Sequence, residues 1–227
     1  TTSHAAIVSR ELGIPCVVGV KDAIKILSAD ENQEYTIDCS EGVGRVYKGR
    51  LRFNKELVDL RNLPKTRTQI MMNISRPEVA LHNANKCEGV GLLRLEFVYA
   101  HDIGIHPMAL INFSKLKEKA AAENDKQLEK NLAEIEERTK GYENKGEFFI
   151  EKLSEGIALI AAAAYPNDVL VRFSDFKTNE YRGLIGGYLY ESEENNPMLG
   201  WRGASRYVHP AFEPAFRLEC RAIKKAI

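Results

Sequence analysis

A histidine near the start of the chain has the sequence setting that most favours covalent chemistry. His4 lies in the string TTSHAAIVSRELGIP, directly before small and aliphatic residues that predict a short helix within residues 2–13. The free N–H groups and the positive dipole at a helix start favour a phosphoryl group. Neutral imidazole is a nucleophile, and Ala5 and Ala6 leave space for a phosphate to approach it. The residues therefore favour phosphohistidine chemistry, the alternative being a histidine that only caps the helix.

Three arginines form a second group of candidates. Arg94 lies in EGVGLLRLEF at the end of a predicted strand, Arg172 lies in VLVRFSDFKTNEY, and Arg202 lies in ENNPMLGWRGASRY. A guanidinium keeps its charge and offers paired donors to phosphate and to carboxylate groups. Arginines that converge on one site therefore suit a substrate that carries both groups. The alternative is that arginines at strand ends make structural ion pairs.

The remaining candidates have weaker support from spacing. Glu96 and Asp175 could orient the arginines or could hold a charged site rigid, and we assign them no role. The other histidines and the cysteines show no metal-ligand spacing, and we interpret the cysteines as reduced thiols, with Cys220 structural. These residues are His82, His101, His106, His209, Cys16, Cys39, Cys87 and Cys220.

Composition restricts the class of protein. Of the 227 residues 44% are hydrophobic and 28% are charged, which is an ordinary globular balance. Lysine plus arginine equals aspartate plus glutamate at 32 each, so we expect neither a nucleic-acid nor a membrane partner. No stretch approaches the roughly 20 apolar residues of a membrane span, and no signal peptide is visible, which favours a cytoplasmic protein. The chain opens without methionine and stops inside an amphipathic run, so we expect a fragment of a longer protein.

The first part of the chain, residues 1–50, predicts a small α/β unit. CVVGV (16–20) has the pattern of a short buried strand, and DAIKIL (22–27) has helical spacing. YTIDC and RVYKG alternate around SEGVG, which predicts two strands joined by a turn. Residues 51–67 are charged, contain Pro64 and show no period, and we interpret them as a linker.

The second part, residues 68–227, alternates strand and helix patterns. Strands are predicted at 68–75, 89–99 and 168–176, and helices at 76–86, 114–140, from Glu147 onward, and 213–227. The charged stretch 114–140 is most simply a solvated insertion. Alternating elements of this kind predict a parallel sheet and, in the barrel version, chemistry at the carboxyl ends of the strands. The expected fold class is therefore α/β.

The strings themselves resemble a known family. TTSHAAIVSRELGIP resembles the phosphohistidine signature of the enzymes that use phosphoenolpyruvate, and the three arginine strings are similar to that family's GVGLxRxEF, VRxSDFKxNEY and NPMLGxRGxxRY segments. The resemblance covers nearly the whole chain, with 114–140 matched least. It implies the C-terminal piece of a swivelling phosphohistidine β/β/α domain, followed by the first part of a (β/α)8 TIM-type barrel.

The resemblance also implies an activity. The best match within the family is to the phosphoenolpyruvate synthases, which convert ATP, pyruvate and water to AMP, phosphoenolpyruvate and phosphate. His4 would carry the phosphoryl group, while Arg94 and Arg172 would bind substrate. Mg²⁺ ligands are expected beyond residue 227, and the full-length protein is expected to be a homo-oligomer. With no nucleotide-binding domain in this sequence, the chain alone is expected to show no net catalysis.

Three alternatives stay open. Pyruvate phosphate dikinase uses phosphate instead of water, and the phosphotransferase-system enzyme hands its phosphoryl group to a carrier protein. SDFKTNEY and GGYLYESEENNPMLGWRGASRY favour the synthase. A homologue retained only for assembly is the third, and an intact His4 with both substrate arginines argues against it. The role of Arg202, the role of the charged stretch and the direction of flux are left open.

Overall fold

The structure is a computed structural model that divides the chain into two compact units, Thr1–Pro64 and Lys65–Ile227. It describes residues 5–6, 9, 13–28, 32–54, 56, 64, 66–196 and 200–227. The predicted helix within residues 2–13 lies mostly outside these ranges, and so does part of the predicted linker.

The first unit contains a short helix and a hairpin. Helix α1 (Ala23–Leu27) is followed by strands β1 (Tyr35–Asp38) and β2 (Arg45–Lys48), which pair antiparallel. The turn between them is closed by the Asp38 carboxylate, which accepts bonds from the amide and hydroxyl of Ser40. These bonds lower the pKa of Asp38. The predictions of this helix and of both strands are confirmed.

The predicted strand at 16–20 is wrong. Residues 14–20 have no regular secondary structure, and β1 and β2 pair only with each other among the described strands. Gly19 has φ 76°, in the left-handed region, which interrupts an extended run. The apolar residues of CVVGV had the composition of a strand, but a strand also needs a ladder partner.

A three-stranded parallel sheet forms the centre of the second unit. Its order is β3 (Met72–Ile74), β4 (Val90–Arg94) and β5 (Val169–Arg172). Helix α2 (Pro77–Asn83) and a 3-10 turn (Ala84–Lys86) connect β3 to β4. The parallel sheet, its three strands and this connecting helix are confirmed, although each strand is shorter than predicted.

The second strand ends earlier than its pattern indicated. The predicted strand 89–99 stops at Arg94, and Leu95–Val98 form helix α3, followed by a π-helical turn over Tyr99–Ile103. Leu95, Val98 and Tyr99 are all buried, at the i, i+3, i+4 spacing of one helix face. The same apolar run satisfies a strand pattern and a helix pattern, and packing selects the helix.

Four further helices lie between α3 and β5: α4 (Pro107–Ile111), α5 (Phe113–Glu123), α6 (Lys126–Arg138) and α7 (Lys145–Ala164). The stretch predicted as one solvated helix is thus a pair. Asn124, at φ 54°, ends α5, and Asp125 caps α6 by accepting bonds from two amides at 3.0 Å. The apolar stripe of α6 is buried in the core, so the solvated-insertion interpretation is wrong for that face; its residues are Leu128, Leu132 and Ile135.

Helix α7 is the central helix of the core. The predicted helix from Glu147 onward is confirmed, and it buries an apolar stripe of four residues: Phe149, Leu153, Ile157 and Ile160. A Cβ on Gly156 would lie 2.7 Å from Val98 Cγ1, so this glycine permits close packing of α7 on α3. Gly89, at φ 141°, similarly lets the start of β4 approach the Asp168 carbonyl.

The last part of the chain returns to the sheet and to α7. Helix α8 (Thr178–Arg182), a 3-10 turn (Gly187–Leu189) and helix α9 (Ala204–Tyr207) precede helix α10 (Glu213–Ala226). Helix α10, which the sequence predicted, packs along α7 and adds two exposed ion pairs to it, Arg221–Glu147 at 2.6 Å and Lys225–Glu151 at 3.3 Å. The short helices α4, α8 and α9 were not predicted.

Candidate functional site: an arginine cleft at the carboxyl end of the sheet

Two of the predicted site arginines end neighbouring strands. Arg94 is the last residue of β4, Arg172 is the last residue of β5, and the two are partners in the parallel register. Neighbouring strands lie about 4.8 Å apart, so the backbones of these two residues are held side by side. The structure therefore brings both arginines together at the carboxyl edge of the sheet.

An open cleft of about 300 Å³ lies at this edge. Arg94, Arg172 and Arg202 all line it, together with Glu96 and Asp175. The segment around Arg202 thus returns to the strand ends, across some thirty residues of intervening chain. All three arginines that the sequence singled out share one cleft.

Two of the three arginines are bound by carboxylates. Arg172 donates to Glu96 Oε1, which also accepts from the backbone amide of Asp175 at 2.8 Å. Arg202 is bidentate on the Asp175 carboxylate, at 3.1 and 2.8 Å, and this bond raises the pKa of Arg202 above its ordinary value. The ion pairs expected under the structural alternative are therefore present for Arg172 and Arg202. Glu96 and Asp175, which had no assigned role, link these two arginines through the hydrogen bond from the Asp175 amide to the Glu96 carboxylate.

Arg94 has a different environment. It is exposed, and within the described part of the chain no carboxylate lies at ion-pair distance from it. On the other side, Glu96 Oε2 is buried and accepts no hydrogen bond from any described residue. The cleft therefore contains one guanidinium, that of Arg94, without an ion-pair partner among the described residues. It also contains one carboxylate oxygen, Glu96 Oε2, that accepts no hydrogen bond from them.

A buried ion pair supports the segment that carries Arg202. Arg206 is bidentate on Glu191, with Nη2 2.8 Å from Oε2, and both side chains are about 1% exposed. Arg206 Nε also donates to the carbonyl of Trp201 at 2.9 Å, while the Ser205 hydroxyl donates to the carbonyl of Arg202 at 2.8 Å. Two successive backbone carbonyls, those of Trp201 and Arg202, are thus each held by a hydrogen bond.

Aromatic rings and a histidine complete this support. The Arg206 guanidinium lies 4.3 to 4.9 Å from the ring centres of Trp201, Tyr181 and Phe212, a favourable arrangement for a desolvated cation. Burial acts to raise the pKa of Glu191, but hydrogen bonds from Arg206 and then His106 outweigh it and lower the pKa. Glu191 is therefore a carboxylate that stays ionised inside the core.

A second buried acid lies below the end of β5. Glu219 of α10 is fully buried and accepts bonds from Ser174, which lies between Arg172 and Asp175, and from Tyr99. Burial raises the pKa of Glu219, and the hydrogen bonds oppose that rise. Sequence reasoning missed Glu219, Glu191 and Arg206, because their side-chain partners lie 15 to 120 residues away and no local spacing marks them. An acid at an inward position of an amphipathic helix was the one available sign.

One predicted site residue is not placed by the structure. His4 lies outside the described residues, so its geometry is not part of this site. Among the residues that the structure does describe, no group of three or more histidine, cysteine, aspartate or glutamate side chains could hold a metal ion.

The four cysteines are present as free thiols. No helix in the described ranges combines the length and apolarity needed to cross a membrane.

The sheet and its cleft define the class: an α/β protein that presents arginines at the carboxyl ends of parallel strands, where such folds place their ligand sites. Comparison with protein families agrees. Residues 54–227 match the family described as "PEP-utilising enzyme, PEP-binding domain", and residues 1–42 match "PEP-utilising enzyme, mobile domain". The chain belongs to the PEP-utilising enzymes, and its α/β fold with a parallel sheet is consistent with part of a TIM-type barrel.

Within that family the chain is similar to proteins named phosphoenolpyruvate synthase. It is 48% identical to that of Aquifex aeolicus over 98% of this chain and 30% of the relative. It is 48% identical to that of Synechocystis, and 45% identical to that of Escherichia coli, over 99% of this chain in both cases and 26% and 27% of those relatives. The chain therefore spans less than a third of the length of these relatives.

Proposed function

We propose that the full-length protein is a phosphoenolpyruvate synthase, which converts ATP, pyruvate and water to AMP, phosphoenolpyruvate and phosphate. The observation that carries the proposal is the pairing of Arg94 with Arg172 in register at the ends of β4 and β5, with Arg202 lining the same cleft. Similarity to phosphoenolpyruvate synthases along nearly the whole chain supports it.

The proposed reaction separates into two half-reactions. In the first, a ring nitrogen of His4 attacks ATP and takes its two outer phosphoryl groups, with AMP as the leaving group. Water then takes the outer group as phosphate. In the second, pyruvate loses a methyl proton, and its enolate oxygen takes the remaining phosphoryl group from His4, which frees the imidazole and forms phosphoenolpyruvate.

The arginine cleft is proposed to serve the second half-reaction. Arg94 has unused donors for an incoming anion, whereas Arg172 and Arg202 are already oriented by Glu96 and Asp175. A guanidinium fixed by a carboxylate keeps two or three further donors, so it can bind a substrate without losing its support. Three such groups around one cleft suit a small molecule that carries both a carboxylate and a phosphate.

The family also implies Mg²⁺, and the described residues do not fit it. Three carboxylates line the cleft: Glu96 and Asp175 are each engaged by an arginine, and Glu180 accepts from the Lys177 amide at 2.7 Å. In the described ranges no group of three or more acidic, histidine or cysteine side chains could hold a metal ion. The Mg²⁺ ligands are proposed to lie in other parts of the full-length protein.

A single assay of the full-length protein tests the function. Pyruvate-dependent formation of AMP from ATP should proceed without added phosphate, and adding phosphate should leave the rate unchanged, which separates the synthase from the dikinase. Replacing His4 by alanine should abolish labelling of the protein by both ATP and phosphoenolpyruvate while the fold remains intact. A requirement for phosphate, or an acid-labile phosphate that persists in the His4→Ala variant, would contradict the proposal.

A further inference from the structure

The segment that follows β5 has no secondary structure to hold it. Residues 173–177 belong to no helix or strand, yet they contain Asp175, which anchors Arg202 and donates to Glu96. Ladder hydrogen bonds therefore cannot fix their backbone. Their conformation depends on side chains from other elements, and a shift there would displace both ion pairs of the cleft.

One residue of this segment is bound through every polar group that it has. The Ser174 amide donates to Glu219 Oε2 at 3.2 Å, and its hydroxyl donates to Glu219 Oε1. The Ser174 carbonyl accepts from the Tyr207 hydroxyl at 2.7 Å. Because the single hydroxyl proton points to Glu219, the Tyr181 hydroxyl, 2.7 Å away, must donate to the Ser174 oxygen. Ser174 is thus fixed mainly by one acid.

Glu219 lies on a helix that packs against the core, and burying its carboxylate costs free energy. Glu219 is 0% exposed, and its helix α10 packs along α7, the central helix of the core. An apolar residue at this place would fill the core without the desolvation cost that a carboxylate carries. The carboxylate gains three donors, two from Ser174 and one from Tyr99, that an apolar side chain could not bind.

We infer that Glu219 is a positioning residue of the proposed pyruvate half-reaction: through Ser174 it sets the backbone between Arg172 and Asp175, and thereby the geometry of the arginine cleft. This inference rests on the proposed function for its reaction. Glu219 does not touch the cleft, so its effect on substrate passes through the segment 173–177.

The test compares two glutamates of helix α10 in the full-length protein. Glu219→Gln keeps the size of the side chain but replaces one acceptor oxygen by an NH2 group. It should raise KM for pyruvate about tenfold, since small displacements of positioning groups are costly, and leave ATP-dependent labelling of His4 unchanged. Glu213→Gln makes the same chemical change at an exposed site on the same helix, and should change neither quantity.

Oxalate gives a readout that does not depend on turnover. It is a small planar dianion that cannot accept the phosphoryl group as pyruvate does. Its dissociation constant, measured by calorimetry, should rise in Glu219→Gln by the same factor as KM for pyruvate.

Three outcomes would count against the proposals. If kcat falls while KM and the oxalate Kd stay at wild-type values, Glu219 serves only the fold and the inference is wrong. If the wild type binds oxalate but forms no AMP, the proposed reaction fails, and the ratio of oxalate Kd values still decides the inference. If the wild type does not bind oxalate, the cleft is not an anion site and the inference falls.

A milder variant covers the case in which Glu219→Gln does not fold. Tyr207→Phe removes only the bond to the Ser174 carbonyl, at a partly exposed residue. It should raise the oxalate Kd about threefold, in line with one neutral hydrogen bond.

Where Glu219→Gln folds, a double variant with Ser174→Ala gives a further test. Its rise in oxalate Kd should be smaller than the product of the two single rises, because both changes remove the same bonds. An unchanged Kd in Tyr207→Phe, or independent effects in the double variant, would overturn the inference.

Discussion

At the scale of single residues, the three arginines of the cleft are not equivalent. Arg172 and Arg202 are held by Glu96 and Asp175, whereas Arg94 has no described acidic partner. An anion that binds at Arg172 or Arg202 must share those guanidinium groups with a carboxylate already in place. An anion that binds at Arg94 meets no such competitor among the described residues. We therefore expect Arg94 to contribute more of the binding than either paired arginine.

Conservative replacement of the strand-end arginines tests their role. Arg94→Lys and Arg172→Lys in the full-length protein should each weaken the pyruvate half-reaction by about 1–3 kcal/mol, because lysine keeps the charge but loses the planar pair of donors. Phosphorylation of His4 by ATP should stay near the wild-type rate. The measurements are kcat/KM for pyruvate and the rate of labelling from ATP. Arg217→Lys, at an exposed ion pair of α10, is the control. Equal losses in both half-reactions would show that these arginines serve folding.

At the scale of elements, the Glu191 network joins parts of the chain that are far apart in sequence. His106 caps the start of α4, Glu191 follows the 3-10 turn, and Arg206 lies in α9. His106 Nδ1 accepts from the Met108 amide at 3.2 Å, so in the neutral ring Nε2 donates to Glu191, also at 3.2 Å. Burial lowers the pKa of His106, with Arg206 adding to the effect and Glu191 opposing it. The fold therefore favours the neutral imidazole.

This depressed pKa predicts a loss of stability in mild acid. As the pH falls below the unfolded-state value of about 6.5, the unfolded chain gains a proton that the folded His106 does not, so the free energy of unfolding should fall by up to about 1.4 kcal/mol per pH unit. In His106→Gln this contribution should be absent. Urea unfolding of the 227-residue chain between pH 7.5 and 5.5, followed by fluorescence of Trp201, its single tryptophan, measures the difference in slope.

Two checks isolate the effect of His106. His101→Gln, at an exposed histidine, should keep the wild-type slope. Glu219 has a raised pKa, so its own contribution grows as the pH falls, but it is shared by wild type and variant and cancels in the comparison. Glu191 has a lowered pKa, so its contribution is lost only at more acidic pH. Parallel slopes for wild type and His106→Gln would show that folding does not lower the pKa of His106.

The elements also show what sequence can predict. Period and composition identified the hairpin, the parallel sheet, α2, α7 and α10, because each has a residue spacing that is visible locally. They failed at 16–20 and at 95–99, where a short apolar run fits both a strand and another conformation. Strand-end arginines could be predicted, since the end of a strand is a local property. The acids that orient them could not be assigned, because the contact between Glu96 and Arg172 spans 76 residues.

At the scale of the whole molecule, the chain contains part of the proposed machinery. It spans 30% or less of the phosphoenolpyruvate synthases to which it is similar, and its described residues include no metal-ligand cluster. Several large apolar side chains of the first unit are exposed around one open pocket, among them Val20 at 39%, Leu27 at 38% and Ile37 at 46%. Exposed apolar side chains that are close together are typical of surfaces covered by further chain or by a partner.

We therefore predict that the 227-residue chain alone forms no AMP from ATP, pyruvate and Mg²⁺. It should bind an apolar dye or self-associate, since these apolar side chains are exposed among the described residues of the first unit. AMP formation and sedimentation of the purified chain measure both, and the full-length protein is the control. A monodisperse chain with catalytic activity would show that the site or its boundaries have been misplaced.

The packing of Gly156 against Val98 has a consequence for how the family can diverge. A single methyl group added at 156 would meet Val98 at 2.7 Å, so the helix could not keep its place on α3 unless Val98 became smaller. Neither substitution is neutral alone, because the first creates a clash and the second a cavity. The two positions should therefore change together or not at all, and in an alignment of many relatives they should vary as a coupled pair, with a nearly constant sum of side-chain volumes.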